Sequence, residues 1–349
     1  MTYINSTFSE INNLKKQWNQ ITQSNKTPLI SFEYFKCCEN ALNTKHLKII
    51  TITNNNNIIA ATALTSNRKI MFFDRYEILG SSLLHEPSNL IYNNRFSLEK
   101  ILITLTNLKS PFVLQRIPHN IPIREILNGK NNEKFIYMEK NTIGSQYLNL
   151  ESDIGSFEAQ LSSKRRSDLR RVLKKAKSLG KVTIDILKPS LHEVDKLIQL
   201  AFEIENSSWK SENSSSILKN KQLKYFFTCY FKKLSTNNKL VIGFLKINDK
   251  IIAMQIAQDE FNKIWLLKIG QNDNFKKISP GIILTHEMIK YAISKKRQGF
   301  EFLGSQERWI ELWKPKVHQY KVCAYYPANL SGAVHLVTDT LNRIIQKLK

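Results

Sequence analysis

Apolar and polar positions alternate most regularly between residues 239 and 304. The run KLVIGFLKINDKIIAMQIAQDEFNKIWLLKIG contains three stretches rich in Ile, Val and Leu. Polar turns at Asn248-Asp249-Lys250 and Glu260-Phe261-Asn262 separate them. A period of two with such punctuation predicts three half-buried antiparallel strands. A polar loop, QNDNFKKISPG, leads into a helix whose apolar side carries Ile282, Ile289, Ala292 and Ile293. FEFLG then reads as a short strand ending at Gly304.

The first half repeats this order in other letters. Residues 7–21 and 31–43 have helical spacing, with Phe8, Ile11, Leu14, Trp18 and Ile21 on one face. HLKIITITNNNNIIAATALTSNRKIMFFDRYEILG supplies three β-runs, with residues 54–57 as a turn. A helix over 97–108, a strand over 112–117 and another near 135–139 come next. Two halves, each with a meander, a helix and a further strand, predict a duplicated α+β fold. The alternative is an unrelated α/β domain in the first half.

Between the halves the composition changes. SSKRRSDLRRVLKKAKSLG holds eight basic residues from Lys164 to Lys177 against one acid, Asp168. Leu161, Leu169, Val172, Leu173, Ala176 and Leu179 recur at helical spacing, serines offer an N-cap, and Gly180 offers a stop. One face of this basic helix, 163–179, docks and the other is strongly positive. The positive face is either plain solvated surface or a phosphate- or lipid-reading surface built on Arg165, Arg166, Arg170 and Arg171.

After the strand KVTIDIL, Ser190 and Glu193 form a capping box. The helix behind it buries Leu191, Val194, Leu197, Ile198, Ala201 and Phe202 and carries Glu203 and Glu205. A polar loop, ENSSWKSENSSS, and an aromatic helix, LKYFFTCYFKKL, lead to the meander. Beyond Gly304, a loop or short helix with Trp309 and Trp313 precedes a closing strand. The last helix groups Val337, Leu341, Ile344, Ile345 and Leu348 and is expected to pack them on the domain.

Length and composition narrow the class. A chain of 349 residues, 42% of them hydrophobic, supports two ordinary domains. No apolar run reaches the roughly 18 to 20 residues of a membrane span, and the first residues lack an apolar leader core. A soluble, cytoplasmic protein is expected, at most peripheral at the inner membrane face. Cys37, Cys38, Cys229 and Cys323 lie in apolar or aromatic contexts without a CxxC pair, which fits reduced, packed thiols. No His or Cys cluster has ligand spacing, so no metal is expected. The 52 Lys and Arg against 29 Asp and Glu give a formal net charge of +23. Such a charge asks for an anionic partner: RNA, a membrane surface or a phosphorylated co-substrate. AT-rich coding also raises lysine, but accounts less well for an arginine cluster.

The loop at 276–281 carries the clearest chemistry. Ser279-Pro280 makes a good N-cap and N1 pair, so a helix starts there with its free N–H groups and dipole forming an anion site. Gly281 lets a phosphate approach closely, and Lys276 and Lys277 add charge. An ordinary capped helix also explains Ser-Pro. Its place directly after a meander favours a pyrophosphate cradle.

Taken together, residues 163–313 resemble the CelD-like (cellulose-biosynthesis-type) acetyltransferase domain family of the GNAT superfamily, related to FemAB-type transferases. The matching pieces are SKRRSDLRRVLKKA, ENSSWK, the meander ending LLKIG, the ISPG helix start, and FEFLG followed by ERW and Trp313. Meander, helix and strand make the β-β-β-α-β order of an acyl-CoA-binding module. The resemblance implies tandem GNAT-like (acyl-CoA N-acyltransferase) domains, each a mixed, mostly antiparallel sheet flanked by helices. A degenerate one would span 1–150 and a GNAT acetyltransferase domain 151–349.

It also implies acetyl-CoA or another acyl-CoA as co-substrate. The backbone at Leu267, Ile269 and Gly270 would hold the pantetheine arm, and Lys276, Lys277, Ser279, Pro280 and Gly281 the pyrophosphate. The acceptor needs a base; Glu205, Glu301 and Glu307 are the first choices, His286 and His318 the next. Trp209, Lys210 and Trp309 would face the acceptor. The chain departs from the family in having Glu301 where aspartate is usual, Gln271-Asn272 where a Tyr-Asp pair often stands, and Ile310 where lysine is common.

The activity expected is transfer of an acetyl or acyl group to an amine or hydroxyl, with cell-surface polysaccharide assembly as one setting. Two other readings stay open. One is a FemAB-type aminoacyl-tRNA-dependent transferase, motivated by the arginine-rich helix, although no long heptad arm is present. The other is a non-catalytic GNAT-like scaffold binding anionic membranes or polymers, motivated by the departures at Gln271-Asn272 and Ile310.

Overall fold

Among the described residues, three two-residue turns set hairpins. Asn55 and Asn56, Asn248 and Asp249, and Phe261 and Asn262 all have positive φ, between 48° and 65°. Paired left-handed residues make turns whose twist matches that of the strands they join, and Asn and Asp tolerate that conformation. The registers agree: Asn54 faces Asn57, Ile247 faces Lys250, and Glu260 faces Lys263.

The computed structural model describes residues 1–43, 46–66, 73–130, 134–207 and 216–348. In chain order the elements begin β1 (Thr2–Asn5), α1 (Lys15–Asn25), α2 (Phe32–Leu42), β2 (Leu47–Asn54), β3 (Asn57–Ser66), β4 (Tyr76–Ile78) and α3 (Ser81–Leu84). Next come β5 (Ile91–Tyr92), α4 (Arg95–Thr106), β6 (Phe112–Pro118), α5 (Ile123–Lys130), β7 (Phe135–Asn149), α6 (Ile154–Ala159), α7 (Ser163–Ser178) and β8 (Val182–Leu187). The chain continues with α8 (Val194–Asn206), α9 (Lys221–Thr236), β9 (Leu240–Ile247), β10 (Lys250–Glu260) and β11 (Lys263–Gln271). It ends with α10 (Pro280–Ser294), β12 (Gly299–Leu303), β13 (Lys316–Pro327) and α11 (Leu330–Leu348). The fold is mixed α and β, its strands mostly antiparallel and flanked by helices.

Two compact units divide the chain: Met1–Gly144 with Gln319–Lys349, and Ser145–His318. The sequence reading instead assigned everything after residue 150 to the second half. The difference has a simple cause. Tyr320, Lys321, Cys323, Ala324 and Tyr325 of β13 pair antiparallel with β6, and Tyr325 stacks on Phe112 at 4.8 Å. That long-range ladder draws the tail back to the first unit.

In the first unit the strand order is β1-β2-β3-β4-β6-β13, antiparallel except for the β4/β6 pair, with β5 alongside β3. Phe8, Trp18, Phe32 and Phe35 form its aromatic core, and the Trp18 indole N–H donates to the Ile30 carbonyl at 3.0 Å. Helix α11 departs from expectation. Val337, Leu341, Ile344 and Ile345 do share a face, but that face is exposed, and the Leu348 side chain lies outside those described. The helix is held instead from its polar side, where Asp339 accepts from Arg75 at 2.8 Å and from Tyr326 at 2.7 Å.

In the second unit the order is β7-β12-β11-β10-β9-β8, again antiparallel except for one pair, β11/β12. The same meander, helix and parallel strand thus occur in each unit. Helices α7 and α10 pack one apolar face of this sheet: Leu169, Val172 and Ala176 meet Ile283, Met288, Ile289 and Ala292 in one core with Phe300 and Phe302. The α8 face differs from expectation at its start. The helix begins at Val194, so Leu191 lies in the preceding turn and is exposed. No described helix is long and apolar enough to cross a membrane.

Candidate active site

Strand β11 is bent where it matters. Ile256 faces Lys268 and Ala257 faces Leu266, which leaves Leu267 as a bulge residue without a partner on β10. A bulge adds local twist and re-aims the residues beyond it. On its other edge β11 pairs in parallel with β12 over only three positions, ending at Trp265 opposite Glu301. Strand β12 bends there too. Glu301 faces Tyr147 but Leu303 faces Gln146, so Phe302 is an extra residue. Leu303 and Gly304 then both take left-handed conformations, with φ 54° and 53°. For leucine that costs about 1–2 kcal/mol, a strain of the sort retained where it shapes a site. The parallel strands therefore part just past Trp265 and Glu301.

A polar cluster stands at the point of parting. Glu301 is 2% exposed, and its Oε1 accepts from the Lys263 ammonium at 2.6 Å. His318 Nε2 lies 3.0 Å from Oε2, and the Tyr147 ring stacks on the imidazole with centroids 3.9 Å apart. Burial pushes the Glu301 carboxyl up, but the His318 hydrogen bond and the Lys263 charge outweigh it and hold the group below its usual range. An ionised Glu301 accepts from Nε2–H, which makes Nδ1 the basic nitrogen of His318. His318, only a second choice from the sequence, is the imidazole that this arrangement orients.

The other expected bases are placed differently. Glu205 is 1% exposed at the end of α8, where Oε2 accepts from the Ser216 hydroxyl and the Ile217 N–H, each at 3.0 Å. It thus anchors the chain that leaves the polar loop. It also adjoins Gly270: a Cβ there would lie 2.6 Å from the Glu205 Cα. Gly270 lacks a side chain because α8 crosses β11 at that point. Glu307 is exposed, accepts from the Ser305 hydroxyl, and uses its own N–H to meet Gln146. His286 stacks on Trp313 and contacts Glu158 at 2.9 Å. Its imidazole is pushed down by burial, against the pull of Glu158 and Glu287. Trp309 packs edge-on against Phe302. Trp209 and Lys210 lie outside the described residues.

The loop expected to bind an anion is a 3-10 turn, Asp273–Ile278, followed by α10. Ser279 is the N-cap with Pro280 behind it, but its φ of 49° turns its side chain away from capping. Ile282 and Ile283 donate to the Ser279 carbonyl at 3.0 and 3.4 Å, a tighter start than an open N-terminus. Pro280 has no N–H, so the Gly281 N–H, the Ser279 hydroxyl and the exposed side chains of Lys276 and Lys277 are donors at this end. Gly281 suits a close approach: a Cβ would press on Gln271 Oε1 at 3.3 Å. Two buried residues that sequence reasoning missed fix this turn. Gln255 of β10 donates to Thr285 Oγ1 at 2.6 Å, and Thr285 donates to the Gly281 carbonyl at 2.8 Å. A buried Gln in an apolar strand was the available signal.

The basic helix α7 divides its arginines. Arg166 donates to the Leu161 carbonyl at 2.8 Å and to those of Glu158 and Ala159 at 3.3 Å, closing the end of α6. Arg171 pairs with Asp168 at 2.9 Å. Arg170 is exposed.

Residues 163–311 match the family model described as an acetyltransferase (GNAT) domain. No curated protein sequence matches the chain. Among solved structures, FemX is similar at a TM-score of 0.62 and 9% identity, over 93% of this chain and 98% of that one. A conserved protein of unknown function from Bacteroides thetaiotaomicron gives 0.60 at 12% identity, over 93% and 99%. A tandem GNAT protein from the clavulanic acid biosynthesis pathway gives 0.51 at 6% identity, over 94% and 99%. The fold is that of the tandem GNAT proteins, with the acetyltransferase (GNAT) domain match falling in the second unit.

Proposed function

We propose that the second unit transfers an acyl group from an acyl-CoA thioester to an amine or hydroxyl, with His318 as general base and Glu301 orienting it. One observation carries this reading: the parallel pair β11/β12 opens beyond Trp265 and Glu301, beside the bulge at Leu267, with the Glu301–His318 pair at its apex. The gap exposes main chain to an extended pantetheine arm, and Lys276, Lys277 and the Gly281 N–H suit its pyrophosphate. Glu301, as the carboxylate that holds His318, is a positioning residue.

The chemistry rests on these roles. The acceptor attacks the thioester carbonyl, forming a C–N or C–O bond while His318 Nδ1 takes the acceptor proton. Backbone N–H groups at the β11 bulge face the developing oxyanion. The C–S bond then breaks, and the thiolate of CoA leaves and is protonated. No covalent enzyme intermediate is required, and the buried cysteines Cys37, Cys38 and Cys323 have no part in it. The test is calorimetry with acetyl-CoA on the wild type and on Lys276→Ala/Lys277→Ala. A single site weakened by the double variant supports the reading; no heat with any acyl-CoA ends it.

A second reading keeps the fold and changes the donor to aminoacyl-tRNA. The exposed Lys164, Arg170, Lys174, Lys175 and Lys177 along α7 favour it. A gel shift with bulk tRNA across a salt series should then fall steeply with salt, and a flat response removes it.

A further inference from the structure

Helix α11 wears its apolar side chains outward. At 3.6 residues per turn, Leu330, Ala333, Val337, Leu341, Ile344 and Ile345 fall on one face. The large ones among them are between 50% and 69% exposed. Polar contacts fix this orientation: Asp339 holds Arg75 and Tyr326, His335 is buried, and Arg343 reaches the Met138 sulfur at 3.9 Å. Rotation to bury the stripe would break these pairs, so the outward face is built in. Leu330 comes directly after Asn329, which with Lys109, Lys134, Pro327 and Ala328 lines a cleft of about 380 Å³. Two exposed lysines, Lys109 and Lys134, thus lie at the head of the apolar stripe, their carbonyls accepting from Asn329 and Ala328.

We propose that this face docks the protein on an anionic lipid bilayer, with the stripe in the headgroup–acyl boundary and Lys109 and Lys134 meeting lipid phosphates. Charge complementarity selects this occupant. A chain of net charge +23 is drawn to an anionic surface and repels a second copy of itself. Area agrees. A 19-residue helix is about 28 Å long, and a stripe about 10 Å wide covers roughly 300 Å². A stable dimer needs about 800 Å² from each partner, whereas a helix lying in a membrane interface needs only its apolar face covered.

The test is flotation of the full chain with vesicles of phosphatidylglycerol and phosphatidylcholine in equal parts, and with phosphatidylcholine alone. The wild type should float with the anionic vesicles, less so at high salt. Leu341→Glu/Ile344→Glu should lower that binding at least about tenfold with unchanged circular dichroism. Lys109→Ala/Lys134→Ala should weaken it and flatten its salt dependence, and decides the matter if the glutamate variant loses helix signal. The proposal is overturned if the wild type stays unbound, if both variants float like the wild type, or if sedimentation shows a dimer that the glutamate variant dissolves without any vesicle binding.

Discussion

Replacing Glu301 by Gln keeps the shape of the side chain and removes its charge. The glutamine amide then points N–H donors at Lys263 or His318, where the carboxylate accepted from both. Breaking a fully buried pair costs about 3–5 kcal/mol. Here Lys263 is 30% and His318 36% exposed, so solvent takes up part of the loss, and about 2 kcal/mol remains. For a unit of this size that lowers the melting temperature by about 4–8 °C. The Glu301 carboxyl is held below its ordinary range, so its contribution is present at neutral pH and is lost as pH falls through the lowered value. The stability gap between wild type and E301Q should therefore close in acid. Activity should fall about 10²-fold or more, because the imidazole loses its tautomer and its aim. His318→Gln should lose activity to a similar degree with under about 1 kcal/mol of stability. The double variant should be little worse than the poorer single one, as for groups acting as a unit. The assay is release of the CoA thiol from acetyl-CoA across amine and hydroxyl acceptors, alongside thermal unfolding. An H318Q protein within twofold of wild type, with every acceptor the wild type uses, refutes the assignment of the base.

Other outcomes rest on single contacts. Gly270→Ala forces a Cβ against the Glu205 backbone and should cost about 2–3 kcal/mol by chemical denaturation. Asp259 is buried against Arg297 at 2.9 Å and Lys188 at 3.0 Å. Burial pushes its carboxyl up, but the two cations bring it below the usual range. Its stabilisation is thus full at neutral pH and lost in acid, and the advantage of wild type over Asp259→Asn should vanish as pH falls through the lowered value. Arg166→Ala should cost about 1–2 kcal/mol, since three carbonyls lose their donor. Arg165→Ala removes the same charge and should stay within about 0.5 kcal/mol.

The legible part of the sequence was local. The hairpins could be read because Asn55-Asn56, Asn248-Asp249 and Asn262 interrupt alternating strands, and Asn and Asp tolerate left-handed turns; Phe261 takes that conformation without such a preference. The start of α10 was legible from Ser279-Pro280, though not the left-handed turn that redirects the serine. Periodicity grouped the apolar residues of α11 correctly and missed their direction. Spacing tells which side chains share a face, but the bonds from Asp339 to Arg75 and Tyr326 decide where that face points. The apex of the site was illegible for a related reason. Tyr147 and Lys263 meet Glu301 and His318 only through strand pairing across distant segments, and a lysine in an apolar strand looks like an edge residue until its partner is known. The resemblance gave Gly270 to the pantetheine arm, and the crossing of α8 adds a packing reason that spacing does not show.

The most direct measurement is hydrogen exchange by mass spectrometry with and without saturating coenzyme A. Protection should concentrate on residues 264–271 and 275–284, the opened strand and the start of α10, and Lys276→Ala/Lys277→Ala should remove it. Protection confined to the first unit, or none at saturation, would contradict a co-substrate site between β11 and β12.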